Sequence, residues 1–156
     1  MPAPDTTAAR LPRLSPRQDL VFKLLLSRHH DLLVNMLEAV LVRKIRSVKV
    51  LNPDLPADVT NAKIVALDLR VVLDDGSHVD VEMQARALPD NHARFLFYGA
   101  REYTGQLSQG EDYSLLRPAI SVLWLVESMF PDLDQLHSVF ELRERATGAL
   151  YSGHLE

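Results

Sequence analysis

Residues 67–84 read LDLRVVLDDGSHVDVEMQ, and this stretch decides the fold expected of the chain. Apolar and polar side chains alternate along it on both sides of Asp74-Asp75-Gly76, which is typical of a β-hairpin with one buried face. Pairing must keep apolar residues opposite apolar residues, so a three-residue loop is favoured over a two-residue loop. Gly76 is then expected in the left-handed conformation.

The second face of this hairpin carries charged residues. The three-residue loop places Arg70 opposite Asp80 and Asp68 opposite Glu82, and like charges in directly paired positions repel. A divalent cation with oxygen ligands would convert that repulsion into attraction. Two interpretations follow. Either Asp68 and Glu82 hold a metal ion, or they belong to the solvent-exposed face of an antiparallel hairpin, and in both cases Arg70 and Asp80 form a cross-strand ion pair.

The composition limits the class of protein. A chain of 156 residues with 47% hydrophobic content is long enough for one domain with a core. It has no cysteine, which excludes disulfides and thiolate zinc sites. The N-terminus has no apolar core of the signal-peptide type, and the longest apolar stretch, around residues 119–126, is far shorter than a membrane span of about 20 residues. We therefore expect a cytoplasmic protein without a membrane segment.

The charge is unevenly distributed along the chain. The formal net charge is −4, which argues mildly against a nucleic-acid partner. Residues 10–50, however, contain nine lysines and arginines against three acidic residues, for a net charge of +6. Such a basic segment could meet phosphates, or it could be a solvated helix face followed by a charged strand.

The remaining pattern predicts an alternation of helices and strands in one domain. Residues 1–14 are predicted to be a disordered leader, and residues 15–156 the folded domain. Ser15, Pro16 and Gln18 are typical of a helix start with a capping box. The other predicted elements are a helix at about 31–41, a strand at 45–51, a helix from Pro89 to about residue 108 ended by Gly110, strands at 119–126 and 138–142, and a turn at 146–148.

The helix that follows the hairpin carries a basic and aromatic face. Arg94, Tyr98 and Arg101 recur at spacings of i, i+4 and i+7, and with Tyr103 they could lie near a phosphate. The alternative for the tyrosines is packing in the core or in an interface.

Four segments in this order resemble the transposase-associated, recombination-promoting branch of the PD-(D/E)XK nucleases. They are QDLVFKLLL (18–26), LDLRVVLDDGSHVDVEMQ (67–84), ARFLFYGAREYTGQLSQGEDYSLLRPAISVLWL (93–125) and HSVFELRERATGALYSGHLE (137–156). The resemblance covers nearly the whole chain after residue 15. It implies an α/β, restriction-endonuclease-like fold in which helices flank a mixed β-sheet. It also implies a domain truncated at its C-terminus, since relatives continue beyond Glu156.

The resemblance further implies a metal-dependent DNA endonuclease that hydrolyses phosphodiester bonds in transposition or recombination. Its catalytic residues would be Asp68, Glu82 and Gln84. Asp68 and Glu82 would hold Mg²⁺ or Mn²⁺, the main-chain carbonyl of Met83 would complete the ligand set, and Gln84 would orient the attacking water. Asp19 would supply a further ligand directly or through water, or it is a surface residue favoured by the dipole of the first helical turn.

Two positions depart from the superfamily pattern. Gln84 stands where a lysine is usual, although glutamine is common in this branch, and Leu67 stands where a proline usually precedes the first aspartate. Glutamine can orient a water molecule, but it brings no positive charge and cannot act as a base at neutral pH. The glutamine at position 84, the acidic net charge and the incomplete C-terminus leave a second hypothesis open: a catalytically silent DNA-binding or oligomerisation module derived from such a nuclease.

DNA is the predicted partner, and a homo-oligomer is compatible with either hypothesis. The predicted nucleic-acid-binding residues are Lys23, Arg94, Tyr98 and Arg101. Lys23 could neutralise a phosphate or form a salt bridge to a nearby acid.

Overall fold

The computed structural model describes Ser15, residues 19–51 and residues 69–156. The predicted leader, the capping residues Pro16 and Gln18, and Asp68 lie outside this part of the chain. The helices are α1 (Asp19–Arg28), α2 (His30–Leu41) and α3 (Asn91–Thr104), with a single 3₁₀ turn at Tyr113–Leu115. The strands are β1 (Val48–Val50), β2 (Leu69–Leu73), β3 (His78–Gln84), β4 (Ala119–Leu125), β5 (Leu142–Arg143) and β6 (Leu150–Ser152).

The main sheet has the strand order β1-β2-β3-β4. The first two pairs are antiparallel, and β3 pairs with β4 in parallel, which makes the sheet mixed. A parallel neighbour needs a crossover connection, and α3 lies in the segment that provides it. A mixed sheet with flanking helices is the α/β, restriction-endonuclease-like class that the resemblance implies, and this prediction is confirmed.

The hairpin has the predicted register. Arg70 pairs with Asp80 and Val71 with Val79, and the N–H of Leu73 donates to the carbonyl of Ser77. Gly76 has φ +87°, the left-handed value expected of the last loop residue. The requirement that apolar residues face apolar residues across the hairpin was therefore sufficient to predict the pairing of β2 with β3.

One face of the sheet packs against α1 and α2 through the apolar side chains of the hairpin and of β4. The predicted helix at 31–41 is confirmed as α2. The core on this side consists of Phe22, Leu26, Leu33, Leu37, Ile45, Leu69, Val71, Leu73, Val79, Val81, Ile120 and Val122.

The opposite face of the sheet is covered by α3. Phe95 and Tyr98 of this helix pack with Met129 and with partly buried residues of β4. The alternative that Asp80 and Glu82 lie on a solvent-exposed face is therefore wrong, because both are buried, at 0% and 2% exposure. The crossover that joins β3 to its parallel neighbour places a helix over the polar side of the hairpin.

Several predicted boundaries shift. Helix α3 ends at Thr104, where the N–H of Gly105 donates to the carbonyl of Arg101, and not at about residue 108 before Gly110. Strand β1 is shorter than predicted, with three residues. Helix α3 therefore stops about one turn earlier than predicted, and Gly110, with φ +88°, lies in a separate turn further along the chain.

The C-terminal part differs most from the sequence pattern. The strand predicted at 138–142 is wrong: β5 has only two residues and pairs with β6 in a separate two-stranded sheet. The apolar segment at 138–142 forms no strand before Leu142, and Val139 and Phe140 are exposed. The predicted turn at 146–148 is confirmed, with Gly148 at φ +72°. Among the helices that the structure describes, none has the length and hydrophobicity of a membrane span.

Candidate active site

The polar residues of β3 form the floor of the candidate site. His78, Asp80, Glu82 and Gln84 share one face because successive strand side chains alternate. Helix α3 lies over this face, so the floor is buried at Asp80 and Glu82 and becomes more accessible toward Gln84.

Glu82 contacts a cationic side chain of α3. Nη2 of Arg94 lies 3.8 Å from Oε2 of Glu82, and the Glu82 side chain is 3% exposed. Nε of Arg94 donates to the hydroxyl of Tyr98 at 2.9 Å, and the guanidinium carbon lies 5.2 Å from the Tyr98 ring centroid. Tyr98 is itself buried, as the packing interpretation expects. Of the predicted nucleic-acid-binding residues, Arg94 thus lies next to the predicted catalytic glutamate, and Tyr98 contacts Arg94.

Gln84 is fixed by the chain that follows it. Its Nε2 donates to the carbonyl of Arg86 at 2.8 Å, and Nδ2 of the fully buried Asn91 donates to the same carbonyl at 3.2 Å. The amide nitrogen is therefore occupied, and the amide oxygen is the atom that can accept a hydrogen bond from water.

Glu102 is a central residue of this face that the sequence analysis did not single out. Nε and Nη2 of Arg70 donate to its two carboxylate oxygens at 2.7 and 2.8 Å, and Nδ1 of His78 lies 2.7 Å from Oε1. Burial alone would raise the pKa of Glu102, but hydrogen bonds from His78 and Arg70 and the positive charge of Arg70 hold this pKa below its ordinary value. A signal was available, because Arg94, Tyr98 and Glu102 are spaced by four along one helix face.

The predicted ion pair between Arg70 and Asp80 is wrong. The two residues are paired in the sheet, but Glu102 offers two oxygens to the planar guanidinium fork, and such bidentate pairing is the stronger arrangement. Asp80 instead accepts a hydrogen bond from Oγ of Ser121 at 2.7 Å. Its Oδ2 is buried and has no hydrogen-bond partner among the described residues.

Burial also changes the acidity of Asp80. Burial raises the pKa of Asp80 to about 7; the hydrogen bond from Ser121 opposes the shift, the negative charge of Glu102 adds to it, and Arg70 opposes it. A carboxyl group buried beside another carboxylate favours its neutral form.

Stability should therefore depend on pH through Asp80. The unfolded carboxyl has an ordinary pKa near 4, so the folded state binds this proton more tightly. The contribution to stability is complete below about pH 4 and is lost as the pH rises through about 7. Between pH 5 and pH 8, the free energy of unfolding of the wild type should fall by roughly a few kcal/mol more than that of Asp80→Asn. Urea denaturation at both pH values measures this, and a pH-independent difference between the proteins would contradict it.

The other predicted metal ligands are only partly described. Asp68 lies outside the described residues, and Asp19 begins α1. Met83 lies on β3 opposite Trp124 of β4. The described residues contain no group of three histidine, aspartate or glutamate side chains that could hold a metal ion. The ligand roles of Asp68, Asp19 and Met83 stay predictions.

The donors that the described residues do offer suit a hard cation. Glu82 supplies a carboxylate, and β3 supplies main-chain carbonyl groups, so the donor set is made of oxygen atoms. Mg²⁺ and Mn²⁺ prefer such donors. Nη2 of Arg94 lies 3.8 Å from Oε2 of Glu82, which is beyond hydrogen-bond distance. This donor chemistry fits the predicted metal, with Asp68 as the second carboxylate.

The remaining predicted phosphate ligands are spread over two helices. Lys23 is partly exposed on α1, and Arg101 is partly exposed in the last turn of α3. The hydroxyl of Tyr103 is hydrogen-bonded to Nδ1 of His154 at 3.0 Å, so this tyrosine ties α3 to the C-terminal segment.

The family model described as PD-(D/E)XK nuclease family transposase matches residues 16–156. The chain belongs to this family. No curated protein and no solved structure matches it.

Membership of the PD-(D/E)XK nuclease family transposases confirms the resemblance seen in the sequence. The family is one of nuclease-type hydrolases, and its name implies DNA as the substrate. PD-(D/E)XK nucleases generally use divalent metal ions. The oxygen donors at Glu82 are consistent with that chemistry.

Proposed function

We propose that this chain is a Mg²⁺- or Mn²⁺-dependent DNA endonuclease that hydrolyses phosphodiester bonds in transposition or recombination. Asp68, Glu82 and Gln84 are its catalytic residues. The observation that carries the proposal is the placement of Glu82, a buried carboxylate on a central strand with a cation beside it and an amide two residues further on the same face. The absence of cysteine suits the reducing cytoplasm, where we place the reaction.

The metal would be held by Glu82 and Asp68, with the carbonyl of Met83 and the carboxylate of Asp19 as further ligands. The described register supports this, because the pairing of Leu69 with Val81 is the one from which Asp68 is expected opposite Glu82. When bound, the ion would polarise the phosphate and stabilise the negative charge that develops in the transition state. Burial of Glu82 strengthens its attraction for a cation, since the local dielectric constant is low.

Gln84 would position the attacking water. Its amide nitrogen is held by the carbonyl of Arg86, so its oxygen can accept a hydrogen bond from water without a change of side-chain conformation. An amide cannot remove the proton of that water, so the role of Gln84 is orientation.

The phosphates of DNA would be neutralised by Arg94, Arg101 and Lys23. Arg94 lies next to Glu82, which places a cation where a scissile phosphate would meet the metal. Tyr98 would act through Arg94, because its hydroxyl accepts a hydrogen bond from Nε.

Substitution of Gln84 tests the orientation role. Gln84→Ala should lower metal-dependent cleavage roughly 10²-fold, the typical effect of losing one positioning hydrogen bond. Gln84→Lys restores the residue usual in the superfamily and should preserve or increase cleavage. Initial rates of plasmid nicking in Mg²⁺ and in Mn²⁺ measure both effects. Unchanged rates in Gln84→Ala would show that Gln84 has no role in cleavage.

A catalytically silent DNA-binding or oligomerisation module is the second candidate. The contact between Arg94 and Glu82 favours it, because an arginine that permanently neutralises this carboxylate would compete with a metal. DNA binding at low salt without cleavage in either metal would identify this module, and sedimentation with and without DNA would show whether it self-associates.

A further inference from the structure

Arg94 occupies an unusual position between the acidic site and solvent. Its side chain is 32% exposed, whereas that of its partner Glu82 is 3% exposed. A buried carboxylate is strongly disfavoured unless a positive charge lies close to it. The 3.8 Å separation of Nη2 and Oε2 provides that charge without a hydrogen bond between the two groups.

Arg94 is held in place by its own helix. Nε donates to the Tyr98 hydroxyl at 2.9 Å, and the guanidinium carbon lies 5.2 and 5.5 Å from the ring centroids of Tyr98 and Phe95. These contacts, together with the cation–π attraction they bring, do not depend on Glu82. Arginine has five N–H donors in a planar fork, and Nε is the one that Tyr98 engages, so the Nη donors remain available to another anion while the contact with Tyr98 persists.

We propose that Arg94 is an exchangeable counter-ion of Glu82: it neutralises this carboxylate in the metal-free protein and passes to a DNA phosphate when a divalent cation binds. The inference rests on the proposed function and adds an order of events to it. The cation and Arg94 compete for one carboxylate, so Glu82 keeps a positive charge beside it when no metal is bound. Once a cation is bound, the displaced guanidinium is available for the substrate.

Mn²⁺ binding without DNA tests the competition directly. An opposite charge within about 4–6 Å alters the affinity of a carboxylate for a proton by roughly tenfold or more, and a similar effect on Mn²⁺ is expected. Arg94→Gln should therefore bind Mn²⁺ roughly tenfold more tightly than wild type, as measured by the paramagnetic resonance signal of the free ion. Arg94→Lys, which keeps the charge, should stay close to wild type.

Two control variants make the result specific. Arg117→Gln removes one positive charge from an exposed arginine whose Nη1 donates to the main-chain carbonyl groups of Ser114 and Leu116, and it should leave Mn²⁺ affinity unchanged. Glu82→Gln should lose Mn²⁺ binding. If Glu82→Gln loses it but Arg94→Gln binds Mn²⁺ no more tightly than wild type, the counter-ion proposal is overturned and the proposed function stands. If Glu82→Gln binds like wild type, both fail.

DNA binding tests the second half of the exchange. With duplex DNA and Ca²⁺ as a cation that replaces Mg²⁺, Arg94→Gln should weaken binding more than it does in EDTA, because Arg94 meets phosphate only after it leaves Glu82. An equal loss in both conditions would show that Arg94 contacts phosphate regardless of the cation, and the exchange would be refuted.

Discussion

Replacing Glu102 with alanine should lower the free energy of unfolding by roughly 3–5 kcal/mol, the usual effect of removing one partner from a buried ion pair. The Arg70 side chain is 12% exposed and that of Glu102 is 2% exposed, so the arginine would be left buried without its bidentate partner. His78 would lose its partner in the same step. Total stabilities of single domains are about 5–15 kcal/mol, so this one change should remove a large part of the stability.

Lys44→Ala is the matched control for that experiment. Lys44 pairs with Glu38 at 3.1 Å, but its side chain is 92% exposed, and exposed pairs contribute about 0–1 kcal/mol. Urea denaturation of the two variants and wild type measures the contrast. A Glu102→Ala protein as stable as Lys44→Ala would show that the Arg70–Glu102–His78 cluster does not hold α3 to the sheet.

Replacing Glu82 with glutamine should reduce metal-dependent cleavage by at least roughly 10³-fold. A metal ion stabilises transition-state charge by several kcal/mol, and each 1.36 kcal/mol corresponds to about a factor of ten in rate. The fold should survive, because glutamine has nearly the same shape and Arg94 is exposed enough to be hydrated. The rate of plasmid nicking and the metal-free urea midpoint measure the two effects separately.

Two results of the Glu82→Gln experiment would contradict the assignment. Cleavage at the wild-type rate would place the metal elsewhere. A loss of several kcal/mol of stability without metal would instead show that Glu82 is a structural residue whose charge the fold requires.

The hairpin was predictable because its determinants are local. Apolar residues on the two sides of Asp74-Asp75-Gly76 must lie opposite each other, and this requirement selects the three-residue loop and its register. The conformation of Gly76 then follows from the loop length. The mixed sheet followed from the resemblance, and the family match over residues 16–156 confirms the family. Strand β4 was predictable from its continuous apolar run, which is typical of a strand covered on both faces.

The burial of the polar face was not predictable in the same way. It depends on where the crossover places α3, a contact between residues far apart in sequence. Arg70 lies directly opposite Asp80, yet it pairs with Glu102, which is 32 positions away in the chain and approaches with better geometry. The spacing of Arg94, Tyr98 and Glu102 by four residues indicates a shared helix face, but it does not indicate that this face meets the charged side of the hairpin.

The strand predicted at 138–142 shows a second limit of prediction from sequence, because a suitable segment does not form a strand by itself. An apolar run indicates that a segment can form a buried strand, but pairing requires a neighbour with free main-chain groups. The segment that lies beside the start of β4 is the C-terminus, where the N–H of Ala119 donates to the carbonyl of His154 at 2.8 Å. Phe140 instead packs its ring against Phe130, with centroids 4.6 Å apart.

Conversion of supercoiled plasmid to nicked or linear DNA tests the central claim most directly. We predict that the wild-type protein cleaves in Mg²⁺ or Mn²⁺ and not in EDTA, and that Asp68→Asn and Glu82→Gln, purified in the same way, leave the plasmid intact. A wild-type protein that leaves the plasmid intact in both metals while it still retards DNA at low salt would contradict the nuclease assignment and establish the silent DNA-binding module.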